Sequence, residues 1–186
     1  SALDPRNTLA RPDLADAALQ GLIRAERFDK PQAMHCAAAS AAIRREPDPS
    51  AEQLDQLLFG ETFRVLETGR GWGWGQAGRD GYVGHVLLAD LRTGVTPATH
   101  RVSALRAYAF SRPDIKSRPL ALLSLNALVA VESEEGKFLK AEGFFSVLSR
   151  LGGTDRPPTH DGAHVRSVVA AMPLRDWRLL DVGQRR

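Results

Sequence analysis

Apolar and polar residues alternate in short runs along most of this chain, and the runs come twice. Leu57 to Glu67 reads Leu-Leu-Phe-Gly-Glu-Thr-Phe-Arg-Val-Leu-Glu, and Leu122 to Glu132 reads Leu-Leu-Ser-Leu-Asn-Ala-Leu-Val-Ala-Val-Glu, with apolar residues at matching places. A basic residue leading to Pro-Asp precedes each run (Pro47-Asp48 and Pro113-Asp114), and a glycine that opens a short apolar strand follows it (Gly71 and Gly136). A spacing of roughly 65 residues exceeds one solenoid unit and suits a small autonomous domain, so the pattern predicts two tandem copies of one module.

Within the first copy, Leu57-Leu58-Phe59 and Phe63 to Leu66 flank Gly60-Glu61 as strands around a turn. In Gly71 to Gln76 the residues Trp72, Trp74 and Gln76 alternate with glycines, which on a strand sends all three side chains out of one face. Ala77 to Gly81 is a turn by composition, because Asp80-Gly81 supplies the positive φ of a tight hairpin, and Tyr82 to Val86 returns as the partner strand. Short strands separated by Gly- and Asp-rich turns predict a small barrel or sandwich. The second copy starts with Tyr108 and Phe110, has its apolar middle at Leu120 to Val131, and turns at Glu134-Glu135-Gly136 before Lys137 to Lys140. Phe138 and Leu139 point to opposite faces, so only one of them joins Leu128 in a core.

Arg92 to Thr99, with Gly94 and Pro97, has the composition of a linker. Upstream, Asp13 to Gln20 favours a short helix, started by Pro12 and Asp13 and ended by Gly21. Downstream, Leu151 to Arg186 holds Pro157-Pro158, one apolar patch at Val165 to Met172 and no dependable period, and it is shorter than the roughly 50 residues at which domains begin. The expected organisation is all-β: an N-terminal helical or extended segment (1–30), two small barrels (31–96 and 97–150) and an irregular tail (151–186).

Composition changes this picture little. Of 186 residues, 43% are hydrophobic and 25% charged, as in ordinary globular proteins. No apolar run approaches the roughly 20 residues of a membrane-spanning helix, and the N-terminus has no apolar signal core, which leans the localisation toward the cytoplasm over the cell envelope. The net charge of +3 comes from arginines interleaved with carboxylates, whereas a nucleic-acid footprint needs them clustered on one face. The lone Cys36 excludes an internal disulfide and a thiolate zinc cluster. It reads as a buried structural residue, with the adjacent His35 on the opposite face of a strand. His160 and His164 have the spacing of helical metal ligands, but Gly162 and the nearby prolines disfavour a helix and no third ligand is in view, so no metal and no cofactor is expected.

Several segments resemble, in order and spacing, the bacterial SH3 domains that precede the catalytic domain of NlpC-type cell-wall cysteine peptidases. They run from Leu3-Asp4-Pro5-Arg6 and Arg11 to Asp16, through Arg44 to Pro47 and Gln56 to Glu61, to Gly71 to Gln76 and Asp80 to Gly84; the second copy is similar to the second SH3 domain of that architecture through His100 to Val102, Arg112 to Asp114 and Leu123 to Leu139. The resemblance covers about the first 143 residues. It implies two tandem SH3-like barrels and a role on the peptide stems of murein, which the family cleaves with a cysteine thiolate and a histidine base. The family's Asp-Cys-Ser-Gly motif is absent here, and the resemblance is expected to lapse near Phe144, as in a truncated or frameshifted gene rich in arginine codons. The chain as it stands is therefore expected to lack peptidase activity.

In the resembled peptidases the first SH3 domain forms a wall of the substrate cleft. Carried to this chain, that role falls on Trp72, Trp74, Gln76, Arg79, Asp80 and Tyr82. Three readings follow: a module that binds or positions murein stem peptides, an SH3 pair that completes a separate NlpC-type catalytic chain in trans, and a structural unit with no murein role. A cleft lined by Trp74 and Tyr82 would favour the first, an exposed apolar patch on the first copy the second, and a smooth charged surface the third.

Overall fold

A computed structural model describes residues 4–94, 96–141, 143–147 and 151–153. The alternating runs fold as strands, and no α-helix occurs among the described residues. β1 (Leu14–Asp16) pairs in parallel with β2 (Arg27–Asp29). The next seven strands are β3 (Gln32–Cys36), β4 (Ser40–Arg44), β5 (Gln53–Leu58), β6 (Thr62–Gly69), β7 (Trp72–Ala77), β8 (Val83–Leu87) and β9 (Leu91–Thr93). They form one sheet in the order β5-β4-β8-β7-β6-β3-β9, all antiparallel, around a core of Met34, Cys36, Ala41, Ile43, Leu57, Phe63, Val65, Ala77, Val86 and Leu91. Period-2 alternation explains which residues face in: Met34 and Cys36 are buried while His35 between them is not.

The remaining strands are β10 (His100–Val102), β11 (Arg106–Phe110), β12 (Pro119–Ser124), β13 (Leu128–Val129), β14 (Val131–Glu135), β15 (Phe138–Ala141), β16 (Phe144–Val147) and β17 (Leu151–Gly153). They repeat the pairings of the first set strand for strand, with β13 and β14 together standing where β6 stands. The register repeats too. Ala41 pairs with Leu57 and Ala107 with Leu123; Met34 pairs with Phe63 and His100 with Val129, each partner recurring 66 residues on. The irregularity in β4–β5 between Ile43 and Arg44 recurs between Ala109 and Phe110, and that in β6–β7 between Val65 and Glu67 recurs between Val131 and Ser133. Leu57 thus corresponds to Leu123 and not to Leu122, a slip of one residue that in a strand exchanges the buried face for the exposed one.

Other expectations are corrected. The helix over 13–20 is strand β1 followed by a single 3-10 turn at Ala17–Leu19, because Leu14, Ala15 and Asp16 are all buried and so short a helix could not cover three consecutive inward residues. Arg92 and Thr93 belong to β9, which narrows the linker. Leu139 enters the second core with Ala127 and Val129, whereas Leu128 packs elsewhere. The strands of the second set continue past Phe144, with β17 pairing to β10 beyond the expected boundary at 150. The rest of the tail, with His160, His164 and the 165–172 patch, lies outside the described residues.

The two sets touch through the β5–β6 turn. Ala39, Leu58 and Phe59 pack against the second core, Phe59 and Phe144 meet edge to face at 5.6 Å, and the Leu128 N–H donates to the Phe59 carbonyl at 2.8 Å. Gly60 has φ +78°, and a Cβ there would collide with the Leu128 carbonyl, so the approach requires glycine.

Candidate functional site

The β7–β8 hairpin carries all six residues singled out by sequence. A Cβ on Gly75 would strike the Arg64 carbonyl and the Phe63 ring, so the inward side of β7 admits only hydrogen there and the bulk of the strand goes outward as Trp72 and Trp74. Both tryptophans are nonetheless buried: Trp72 is 7% exposed and Trp74 5%. Trp74 sits in a cluster with Leu9, Leu14 and Val83, and the Arg11 guanidinium stacks over its ring at 4.1 Å. Arg11 is itself held by Asp13 at 3.0 Å and Glu67 at 2.6 Å. Covering a tryptophan removes up to about 250 Å² from water, on the order of 4–6 kcal/mol of transfer free energy as an upper figure. That burial fixes the N-terminal segment to the hairpin.

The same segment occupies the polar end of the face. The Gln76 side chain donates to the Asn7 carbonyl at 2.9 Å and the Gly81 carbonyl at 3.0 Å, and accepts from Arg64, whose other nitrogen bonds the buried Asp16. The Val83 N–H donates to the Arg6 carbonyl. Trp74 and Gln76 therefore hold the N-terminal segment along one side of the hairpin.

The tip is different. Arg79 reaches three carboxylates: Asp80 at 2.7 Å, Glu61 at 3.0 Å and Asp55 at 3.3 Å. Glu61 is buried, and its second oxygen accepts from the Leu58 N–H at 2.9 Å. The Asp80 hydrogen bonds raise the guanidinium's pKa above its usual range, against partial burial, with Glu61 and Asp55 adding to the effect. Burial acts to raise the Asp80 carboxyl, but hydrogen bonds from Arg79 and from the Tyr82 N–H outweigh it and hold it below the ordinary range. Tyr82 stands half-buried beside this cluster, its ring against the first core. Asp55 and Asp80 reach the surface with the buried Glu61 behind them, and these three carboxylates outnumber the one guanidinium, so the tip can attract a cationic group.

Asp55 and Glu61 are members of the site that sequence reasoning missed. They sit 18 and more residues from Arg79 along the chain, and only the fold brings them together. The one available signal was Glu61 itself, a carboxylate inside the apolar run Leu57 to Phe63. Cys36 is fully buried, and burial pushes its thiol up to about 12, with Asp90 and Glu61 adding to the rise, while the thiol donates to the Ala38 carbonyl at 3.4 Å. A thiol so protonated is no nucleophile.

Residues 43–91 match the family model of the bacterial dipeptidyl-peptidase SH3 domain. No curated protein matches the chain. Among solved structures, an NlpC/P60 family protein from Bacillus cereus aligns at 14% identity and a TM-score of 0.49, over 64% of this chain and 55% of its own. NlpC2 and NlpC1 from Trichomonas vaginalis align at 13% and 12% identity with TM-scores of 0.30 and 0.31, over 77% and 91% of this chain. The chain spans 55%, 57% and 58% of the length of these three structures. Residues 43–91, from β4 into β9, are thus similar to the bacterial dipeptidyl-peptidase SH3 domain, in keeping with the resemblance read from the sequence.

Proposed function

We propose that this chain is a non-catalytic murein-binding region of an NlpC-type cell-wall peptidase, which holds peptide stems at the β7–β8 tip, and that residues 97–153 are a second SH3-like copy beside it. The observation that carries the reading is the family match over 43–91 together with the acidic cluster around Arg79 inside that same stretch, Asp55 and Asp80 at the surface and Glu61 buried beneath them. A murein stem peptide carries free amino groups, and the surplus negative charge suits them. Because both tryptophans are buried, the expected cleft lined by Trp74 and Tyr82 does not form, and the contact surface is narrowed from the six residues to Arg79, Asp80 and the exposed side of Tyr82, with Asp55 added. Completion of a separate catalytic chain in trans would call for an exposed apolar patch on the first set of strands, where Leu87 is the one large apolar side chain exposed among the described residues.

Calorimetric titration with L-Ala-γ-D-Glu-diamino acid tests the reading. Native chain should bind, Asp80→Asn should weaken binding about tenfold, near 1.4 kcal/mol, and acetylation of the tripeptide amine should have a similar effect. An absence of heat with the native chain would remove the murein role.

A further inference from the structure

The repeat provides an internal control for the second set of strands. The β4–β5 and β11–β12 hairpin loops share one backbone: Arg45 N–H to Glu52 carbonyl recurs as Ser111 to Arg118, Asp48 to Glu46 as Asp114 to Arg112, Ala51 to Asp48 as Ser117 to Asp114. Even the side-chain cap recurs, Asp48 accepting from the Ser50 N–H and Asp114 from the Lys116 N–H. Residues that differ between the loops are therefore not needed to build them.

What differs is charge and apolarity. The first loop carries Glu46, Asp48 and Glu52 against Arg45, which pairs with Glu52 at 2.7 Å. The second carries Arg112, Lys116 and Arg118 against Asp114, and none of these cations makes an ion pair among the described residues. The outward positions Ala42, Arg44, Pro49 and Gln56 become Tyr108, Phe110, Ile115 and Leu122. In the first set Arg44 is tied to the Ala51 carbonyl at 2.7 Å. In the second, Tyr108 is 52% exposed, Ile115 66% and Leu120 48%, and Tyr108 rests on Phe110 with ring centroids 5.7 Å apart. Tyr108 lies directly across from Leu122, so these two side chains share one face, and Leu120 stands exposed at the irregularity beside them.

We propose that the outer face of the β11–β12 hairpin docks an acidic protein segment carrying large apolar side chains. Tyr108 and Leu120 supply the apolar anchors, while Arg106, Arg112, Lys116 and Arg118 form a cationic rim that selects the sign of the partner. A nucleic-acid backbone is a poorer fit, since phosphate tracking draws on roughly 6–10 cationic contacts, and Asp114 stands in the middle of the loop. This surface is separate from the β7–β8 tip and stands whether or not murein binds there.

Selection of a displayed library of random peptides on the whole chain tests it. The expected result is enrichment of net-negative peptides with Leu, Phe or Trp, whose synthetic versions lose about tenfold in affinity on Tyr108→Ala and on the loop graft Ile115→Pro, Lys116→Ser, Arg118→Glu. Because the graft installs residues that the same backbone already carries at Pro49, Ser50 and Glu52, its melting temperature should stay near native. Enrichment of neutral or basic peptides, no enrichment at all, or equal binding by both variants overturns the proposal. Graft-sensitive partition onto phosphatidylglycerol vesicles without peptide enrichment also overturns it, in favour of a membrane surface.

Discussion

The two sets of strands are the same scaffold except at one hairpin. All five β4–β5 register pairs recur 66 residues on, as do most of those of β3–β6 and β6–β7 taken together, but Gly75 pairs with Gly84 while Ala141 pairs with Phe144, so the second hairpin turn is six residues shorter. Those residues are the stretch that holds Arg79, Asp80 and Tyr82. Trp72 and Trp74 are replaced by Phe138 and Lys140, and no segment like residues 4–16 lies over β15 among the described residues. What the copies share builds the barrel; what they do not share is where chemistry accumulates, at the acidic tip of the first and on the basic, aromatic face of the second.

Paired substitutions at matching positions can break this comparison. The largest effect is expected at Trp74→Ala, which should cost about 3–5 kcal/mol in urea unfolding by emptying the Leu9–Leu14–Val83 cluster, whereas Lys140→Ala should stay within about 0.5 kcal/mol. Equal losses would mean that the N-terminal segment does not cover the first set. Gly60→Ala should cost about 2–3 kcal/mol, since it adds a collision with Leu128 to the strain of φ +78°, while Asn126→Gly at the matching position, φ +71°, should change stability by less than about 1 kcal/mol. Arg79→Ala should cost about 1–3 kcal/mol by leaving the buried Glu61 carboxylate without its cation.

Two smaller effects sharpen the comparison through pH. Val102 occupies the place of Cys36, so Cys36→Val should be tolerated within about 1 kcal/mol. In the native chain the thiol's folded pKa, about 12, lies above the ordinary 9.0, so its contribution is intact below pH 9.0 and is lost as pH rises toward 12. The Val variant should lack that alkaline loss, and native Cys36 should react with a disulfide reagent only as fast as the protein unfolds. Asp80 has the opposite sign: its carboxyl is held low, so the stability it contributes is present above the ordinary carboxylate range and falls away in acid. Asp80→Asn should flatten the acid limb of a melting-temperature profile.

The all-β antiparallel architecture was legible because alternation and turn residues are local signals. Asp80-Gly81 marks its hairpin, with φ +81° at Gly81, and Pro47-Asp48 and Pro113-Asp114 mark the two matching loops. The one-residue error in aligning the copies arose at a turn: Gly71 and Gly136 look equivalent, but Gly136 stands where Arg70 does. Local signals failed where distant segments meet. Nothing near Trp74 says that Leu9 and Leu14 will cover it, and a helix-favouring composition at 13–20 yields to the burial of three consecutive residues. The Arg79 cluster was half visible for the same reason, its tip being contiguous in sequence and its remaining carboxylates not.

The Phe59–Gly60 turn bears on inheritance. Because Phe59 packs against the core of its neighbour, a gene fragment encoding only 97–153 would leave that core uncovered on one side, and a first copy carried off alone would bear an unpaired aromatic plug. Each copy is covered only in the presence of the other. Recombination that shuffles such modules between proteins would have to cut outside both, or replace Phe59 and Gly60 in the same event.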